Sequence, residues 1–204
     1  MDYPNFEYEF ELLDKGFTPC GIDDCGLGSL AGDIVTCAVV VPENAVSLLE
    51  GKVRDSKKLS KKVRSRLNTL ILELCECSIY SVSNEIVDEI NVLEANKLCM
   101  YNSISGLSKC DYALIDGCIN FRDLLNVPYK TLVKGDNKSI SIACASIVAK
   151  EYRDAEMTRL AKEYPYYSFD SNMGYGSQSH RDAIRKYGPC PIHRRSYKCV
   201  KEYC

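Results

Sequence analysis

Two periods of hydrophobic patterning divide this chain. Residues 20–23 and 33–41 (DIVTCAVVV) are short runs of apolar and β-branched residues, the pattern of buried strands. The stretch between them is too short for a helix, so the pair predicts a hairpin. From Ser60 the period lengthens. Val63, Leu67, Leu70, Ile71 and Leu74 fall on one face of a basic amphipathic helix that reaches about Glu76. Residues 78–82 read as a third strand. Asn84 predicts the cap of one long helix through Ile86, Ile90, Leu93, Leu98 and Tyr101. Residues 112–115 form a short buried strand that stops at Asp116-Gly117, and residues 128–133 form a fifth. Helices follow over 138–164, ended by Pro165, and over 177–187, ended by Gly188-Pro189. Three strands, then helices alternating with two more, predict one mixed α/β sheet whose first three strands are antiparallel.

Length fits this picture. A chain of 204 residues makes one domain, or one with a small appendage, and buries enough surface to need no disulfide or metal staple. Its twelve cysteines therefore need another explanation. Cys37, Cys99 and Cys144 lie inside apolar segments, where a reduced thiol behaves as a small hydrophobe. The N-terminus MDYPNFEYEFELLD is acidic, unlike a signal peptide, and no apolar run approaches a membrane span. These features predict a reducing cytoplasm and no membrane partner. Cys75 and Cys77 are close in sequence, but no second pair completes a zinc site.

Net charge is −2, so no global field draws in nucleic acid. The charge is uneven, however. Residues 52–66 carry eight Lys or Arg against Asp55, and residues 181–201 carry seven against Asp182. Two such clusters in an acidic protein point to a polyanion site.

The carboxylates suggest what the site does. Residues 21–32 read GIDDCGLGSLAG: Asp23 and Asp24 end the first strand beside a glycine-rich run. Asp116 ends the strand YALI, and Asp154 shares a helix face with Lys150 and Ser146. Four acids brought together repel unless cations neutralise them, and oxygen-only ligands suit Mg²⁺ or Mn²⁺. Two such ions can drive phosphodiester cleavage. Neighbouring residues on a strand face opposite ways, so Asp23 and Asp24 share a site if the chain leaves strand geometry right after Asp24, where the glycines permit a turn. A dinucleotide fingerprint is excluded, because a strand rather than a helix follows the glycines.

Six segments now carry a resemblance. GIDDCGLGSLAG, DSKKLS (55–60), LIDG (114–117), VKGDNKSISIACASIVAKEYRD (133–154), GYGSQSH (174–180) and YGPCPIHRRSY (187–197) resemble, in order, the motifs of ribonuclease HII of the bacterial type. The resemblance implies an α/β, ribonuclease H-like mixed five-stranded sheet flanked by helices. It implies a catalytic domain over 1–165 and a small helical substrate-binding extension over 166–204. The implied activity is metal-dependent endonucleolytic cleavage of the RNA strand of RNA–DNA hybrids. Single ribonucleotides in duplex DNA would also be substrates, cut on the 5′ side to leave 3′-hydroxyl and 5′-phosphate ends. A monomer is expected.

By the same resemblance, Asp23, Asp24, Asp116 and Asp154 are the catalytic carboxylates and metal ligands. The backbone of Gly26, Leu27 and Gly28 reads the 2′-hydroxyl. Tyr175 packs on the neighbouring deoxyribose, and Lys57 and Lys150 face phosphates. His180 and His193 are structural or substrate-facing. Three positions depart from the family pattern: Asp24 replaces glutamate, Leu27 replaces arginine and Ser29 replaces proline. The shorter arm of Asp24 predicts better activity with Mn²⁺ than with Mg²⁺. The alternative is a weakened or non-catalytic hybrid binder of the same fold. A junction resolvase fits the DSK and GYG segments less well.

Overall fold

The computed structural model describes residues 3–121 and 124–204; Met1 and Asp2 of the acidic N-terminus lie outside it. Helix α1 (Glu7–Leu13) leads into strands β1 (Pro19–Cys25) and β2 (Ile34–Val40). Next come α2 (Glu43–Leu49), α3 (Lys61–Leu74) and β3 (Glu76–Val82). Helices α4 (Asn84–Ile90) and α5 (Val92–Ser105) precede β4 (Tyr112–Asp116) and β5 (Tyr129–Leu132). The long α6 (Ile140–Glu163) is followed by α7 (Phe169–Asn172), α8 (Gln178–Tyr187) and α9 (Lys198–Lys201).

The five strands form one sheet in the order β3-β2-β1-β4-β5. β1 pairs antiparallel with β2, and β2 with β3; β1 and β4, and β4 and β5, are parallel. The predicted mixed sheet and its antiparallel first half are present. α6 covers one face, where Ile140, Ala143, Cys144 and Ile147 pack on Cys25, Val35, Cys37 and Val39. α5 covers the other, with Met100 and Ile104 on Cys20, Ile22 and Ala38. All twelve cysteines are free, and five of the six on the sheet or its two covering helices are fully buried or nearly so.

Three sequence expectations change. The single long helix from residue 84 is two helices. Asn91 sits between them at φ 70°, and its Oδ1 accepts from the Leu93 and Glu94 amides, capping α5. Asparagine tolerates that left-handed backbone better than the β-branched residues beside it. The cap of α4 is Ser83, not Asn84. Helices α1 and α2, at seven residues each, are too short for their periodicity to show.

α6 is set against β1 at its first turn. Ser139 caps it, accepting from the Ile142 amide at 3.2 Å. Buried Glu9 from α1 accepts from the Ser141 amide at 3.0 Å and from the Ser139 hydroxyl, which places a carboxylate at the positive end of the helix. Gly21 of β1 lies directly against this turn, and a Cβ there would collide with the backbone of Ser141 and Ile142.

The C-terminal part builds a smaller core of Tyr167, Phe169, Ala183, Ile184, Cys190 and Val200. Leu30 and Ala31 of the glycine-rich segment and Met157 of α6 complete it. Among the described residues no helix is long and apolar enough to cross a membrane.

Gly21→Ala tests the helix–strand contact that sets the sheet's end. Overpacking against backbone is expected to cost about 3 kcal/mol and to lower Tm by about 10 °C. Calorimetry of the two proteins checks this, and an unchanged Tm would contradict so close an approach.

Candidate active site

β1 continues in strand geometry through Cys25, with Asp23 opposite Cys37 and Asp24 opposite Thr36. The chain turns only at Gly26, at φ 102°, one residue later than the sequence suggested. Strand alternation therefore survives. Asp23 faces α6, where the Ser146 hydroxyl supports it. Asp24 faces α5, where Asn96 Nδ2 lies 3.5 Å from its Oδ1. The two still border one cleft of about 430 Å³, because both stand at the strand's open end. No local turn of the side chains is needed.

The cleft concentrates negative charge. Burial raises the Asp23 carboxyl well above its usual range, and the charges of Asp24 and Asp116 push it further. Asp24 is raised to about 6, chiefly by burial; the Asn96 amide opposes this, Asp116 adds to it and Lys57 opposes it. Asp116 ends β4, and its Oδ1 accepts from the Gly135 amide at 2.6 Å. Beside that amide stands Asp136, raised by burial and then by Asp55 and Asp116. Asp116 is thus the common neighbour of Asp23, Asp24 and Asp136. A second cleft of about 760 Å³ continues past it, lined by Asp116, Asp136, Lys134, Lys138 and Lys58, and Lys57 borders both.

Asp154 stands differently. Its Oδ1 is 2.7 Å from Lys150 Nζ and its Oδ2 is 3.3 Å from Arg64 Nη2. Arg64 is also held by Glu151, at 2.6 Å from its Nε. Two cations already balance this carboxylate, and it is absent from the groups that raise Asp23, Asp24 or Asp136. The structure thus brings together three of the four expected acids. It adds Asp136, which the sequence reading passed over. The available signal was its position: Asp136 follows the parallel strand β5 by four residues, as Asp116 closes the adjacent β4.

Among the described residues no three His, Cys, Asp or Glu side chains stand close enough to enclose one ion as placed. The donor chemistry nevertheless fits a hard divalent cation. The acids around Asp116 are oxygen-only ligands, and burial first and neighbouring carboxylates second raise their proton affinity, a cost that a bound cation would offset.

The glycine-rich segment runs along one wall. It is held between two other segments as a miniature sheet. Leu30 N–H donates to Gly174 O (2.8 Å), Gly32 N–H to Ile192 O (2.9 Å) and Arg194 N–H to Leu30 O (2.9 Å). Two fully buried arginines then fasten it. Arg153 donates to Asp33 O, Ala31 O, Ser29 Oγ and Met173 O at 2.7–3.0 Å. Arg194 donates to Gly32 O from both Nε and Nη2 and to Leu27 O at 2.9 Å. Gly26 is required here, since a Cβ would run into the Arg153 guanidinium. Gly28 is exposed and borders open space. Arg194 and Arg64 were counted among the basic surface clusters. Both are buried, and the surface charge comes from their exposed neighbours.

The departures have visible roles. Leu27 is half-buried against the core cluster of Ile34, Val82, Val87, Ala95 and Cys99, and the Tyr197 hydroxyl donates to its carbonyl at 2.7 Å. It is an apolar peg. Ser29 Oγ donates to Gly26 O at 2.7 Å and accepts from Arg153, so its hydroxyl braces the turn.

Tyr175 lines the same cleft as Gly28, its backbone bridged to Ser29. Its ring centroid is 5.5 Å from the Arg153 guanidinium and 5.9 Å from Lys150 Nζ, and its hydroxyl is 4.0 Å from Cys25 Sγ. Lys57 is exposed and Lys150 half-buried on the cleft wall. His180 and His193 are buried behind Tyr175 and do not reach the cleft.

Comparison with known proteins matches this architecture. The profile of the family described as Ribonuclease HII matches residues 20–200. A ribonuclease HII of Lactobacillus gasseri is 44% identical over 199 residues, covering 97% of this chain and 78% of that protein. One of Chlamydia muridarum is 43% identical over 199 residues, covering 96% of this chain and 89% of its own. The solved complex of PCNA with RNase HII from Archaeoglobus fulgidus contains a chain that superposes with a TM-score of 0.76. It is 26% identical, over 89% of this chain and 95% of that one. With the family profile over residues 20–200 and relatives 43–44% identical over nearly the whole chain, this chain belongs to the ribonuclease HII family and is a metal-dependent endonuclease of the ribonuclease H type.

Proposed function

We propose that this protein cuts the RNA strand of RNA–DNA hybrids and single ribonucleotides embedded in duplex DNA, on the 5′ side of the ribonucleotide. The products would carry 3′-hydroxyl and 5′-phosphate ends. One observation carries the reading: carboxylates converge on Asp116 at the mouth of a bare backbone loop faced by Tyr175.

The residues divide the work. Asp23, Asp24 and Asp116, with Asp136, would hold two divalent ions; Asp154 would have to leave Lys150 and Arg64 to join them. When bound, such ions activate water and stabilise the leaving oxygen of a phosphodiester. The backbone at Gly26, Leu27 and Gly28 would read the 2′-hydroxyl; the Leu27 side chain packs on the core and Gly28 borders open space, which supports a close approach there. The Tyr175 ring would pack on the next sugar, where a second 2′-hydroxyl would clash. Lys57 and Lys150 would meet phosphates, which position the duplex without reading it. The segment 166–204 would extend this surface through its exposed Arg181, Arg185, Lys186 and Arg195.

The test is a duplex carrying one ribonucleotide, incubated with Mg²⁺ or Mn²⁺, with the cut mapped to the nucleotide. A cut 5′ of the ribonucleotide that disappears in excess chelator is expected; a cut elsewhere, or turnover in chelator, would contradict the reading. Two variants assign the fourth acid. Asp136→Asn should lose more than about 100-fold in turnover, and Asp154→Asn should stay within the range of about 10–100-fold usual for a supporting group. The reverse order would return Asp154 to the ligand set.

Asp24 sets the metal preference. Its arm is shorter than a glutamate's by one carbon–carbon bond, about 1.5 Å. Mg²⁺ demands near-ideal octahedral geometry, and Mn²⁺ sites are less exacting. The wild-type protein should therefore turn over faster with Mn²⁺, and Asp24→Glu should gain activity with Mg²⁺. A loss with Mg²⁺ would show that the site already fits the shorter side chain.

A further inference from the structure

His180 and His193 are the only two histidines of the chain, and both are fully buried. Their rings meet at Nε2, 3.0 Å apart. Each remaining ring nitrogen faces a group of fixed character. His193 Nδ1 lies 2.9 Å from the backbone nitrogen of Cys190, which can only donate. That nitrogen therefore accepts, and a neutral His193 carries its proton on Nε2. His180 Nε2 must then accept in turn, which puts the His180 proton on Nδ1. That atom lies 2.9 Å from the Tyr175 carbonyl, which can only accept. The donors run one way, from Cys190 N–H through His193 and His180 to Tyr175 O. A proton added to either ring would set two N–H groups against each other.

The surroundings keep both rings neutral. Tyr167 and Phe169 pack around them, with the Tyr167–His193 centroids 4.9 Å apart and the Phe169–His180 centroids 5.3 Å apart. The other groups in reach are the Cys190 thiol, 3.1 Å from His193 Nδ1, and the charge of Arg195. Burial, then His180 and Arg195, lower His193 to about 4, and burial lowers His180 as well. Packing alone would be better served by apolar rings. Four buried nitrogens are tolerable only because each one is paired.

We propose that His180 and His193 form a directional relay that positions Tyr175 and so sets the enzyme's discrimination between a ribonucleotide junction and a uniform hybrid. This rests on Tyr175 as the sugar-facing residue. The geometry supports a positioning role. The Tyr175 carbonyl also accepts from the Ser177 amide at 2.8 Å, and its own amide donates to Asn172 O at 2.9 Å. These two bonds lie within the 172–177 turn itself. The His180 bond is the one that ties the turn, through His193, to the 190–193 segment, whose Ile192 carbonyl holds Gly32 of the glycine loop. Both readers of the sugar are thereby referred to the same frame.

The relay makes a spectroscopic demand on the wild-type protein. Long-range ¹⁵N–¹H correlation at neutral pH should show His180 protonated at Nδ1, the less common neutral tautomer, and His193 at Nε2. An Nε2–H tautomer at His180, or an imidazolium at either ring, overturns the relay. Function is tested with two isosteres. Asn at 180 keeps a donor where Nδ1 stands; Gln keeps a polar group where Nε2 stands but offers nothing to Tyr175. His180→Gln should lose about tenfold in the ratio of junction to uniform-hybrid cleavage, the equivalent of one lost hydrogen bond. His180→Asn should keep most of the ratio although it is also less stable. If the two variants lose the ratio in proportion to their Tm, the role is structural and the proposal fails. Tyr175→Ala is the control. If it leaves the ratio intact, the sugar-facing reading itself fails; if it abolishes the ratio and His180→Gln does not, the relay alone is wrong.

Discussion

The site depends on two buried guanidiniums spread over the carbonyl groups of one short loop. Arg153 reaches it from α6 and Arg194 from the C-terminal segment. A buried charge is costly, and only a full set of hydrogen bonds offsets it. Here the acceptors are backbone carbonyls at Leu27, Ala31, Gly32, Asp33 and Met173, groups that would themselves be stranded without a donor. The arginines and the loop therefore satisfy each other. Glycine at 26 lets the backbone come this close to Arg153, Gly32 leaves room for Met157, and Asp33 places an opposite charge near both guanidiniums. The result is an irregular segment whose carbonyls at Leu27, Ala31, Gly32 and Asp33 are hydrogen-bonded by buried donors, beside the acids of β1.

Opposite logic governs the carboxylates. Asp23, Asp24 and Asp136 are raised first by burial and then by neighbouring carboxylates, Asp116 among them in each case. A fold tuned for stability alone would not gather them at the ends of β1, β4 and β5. The same molecule pairs Asp154 with Arg64 and Lys150 a short way off. That contrast separates acids grouped with other acids from an acid paired with the protein's own cations. Lys57 borders both clefts and tempers Asp24.

Much of this was legible in the sequence. Continuous apolar runs marked the strands, and the order of elements gave a mixed sheet with an antiparallel half. Asp23, Asp24 and Asp116 stand out in the sequence as candidates because each falls at or near the end of an apolar strand run. Three features were hidden, each for a physical reason. The break at Asn91 depends on one left-handed residue, which leaves the helical period unbroken on both sides. Asp136 lay in a turn with no apolar pattern, and only the pairing of β5 beside β4 brings it to Asp116. Arg153 and Arg194 resemble surface cations in sequence; their burial follows from carbonyls contributed by segments more than a hundred residues away. Long-range backbone acceptors leave no periodic trace.

The most direct test of the account asks whether Arg153 holds the loop. Amide hydrogen exchange would be followed at Leu30 and Gly32, whose N–H groups pair with Gly174 and Ile192. Comparison of the wild-type protein with Arg153→Met separates local from global opening, with Ile22 and Ala38 in the sheet centre as internal references. The account predicts that exchange at Leu30 and Gly32 quickens by about 30-fold relative to the references, the equivalent of roughly 2 kcal/mol of hydrogen bonds to a charged donor. Loop amides that stay as protected as the sheet centre would contradict it, and the loop would then be rigid for reasons other than its buried arginine.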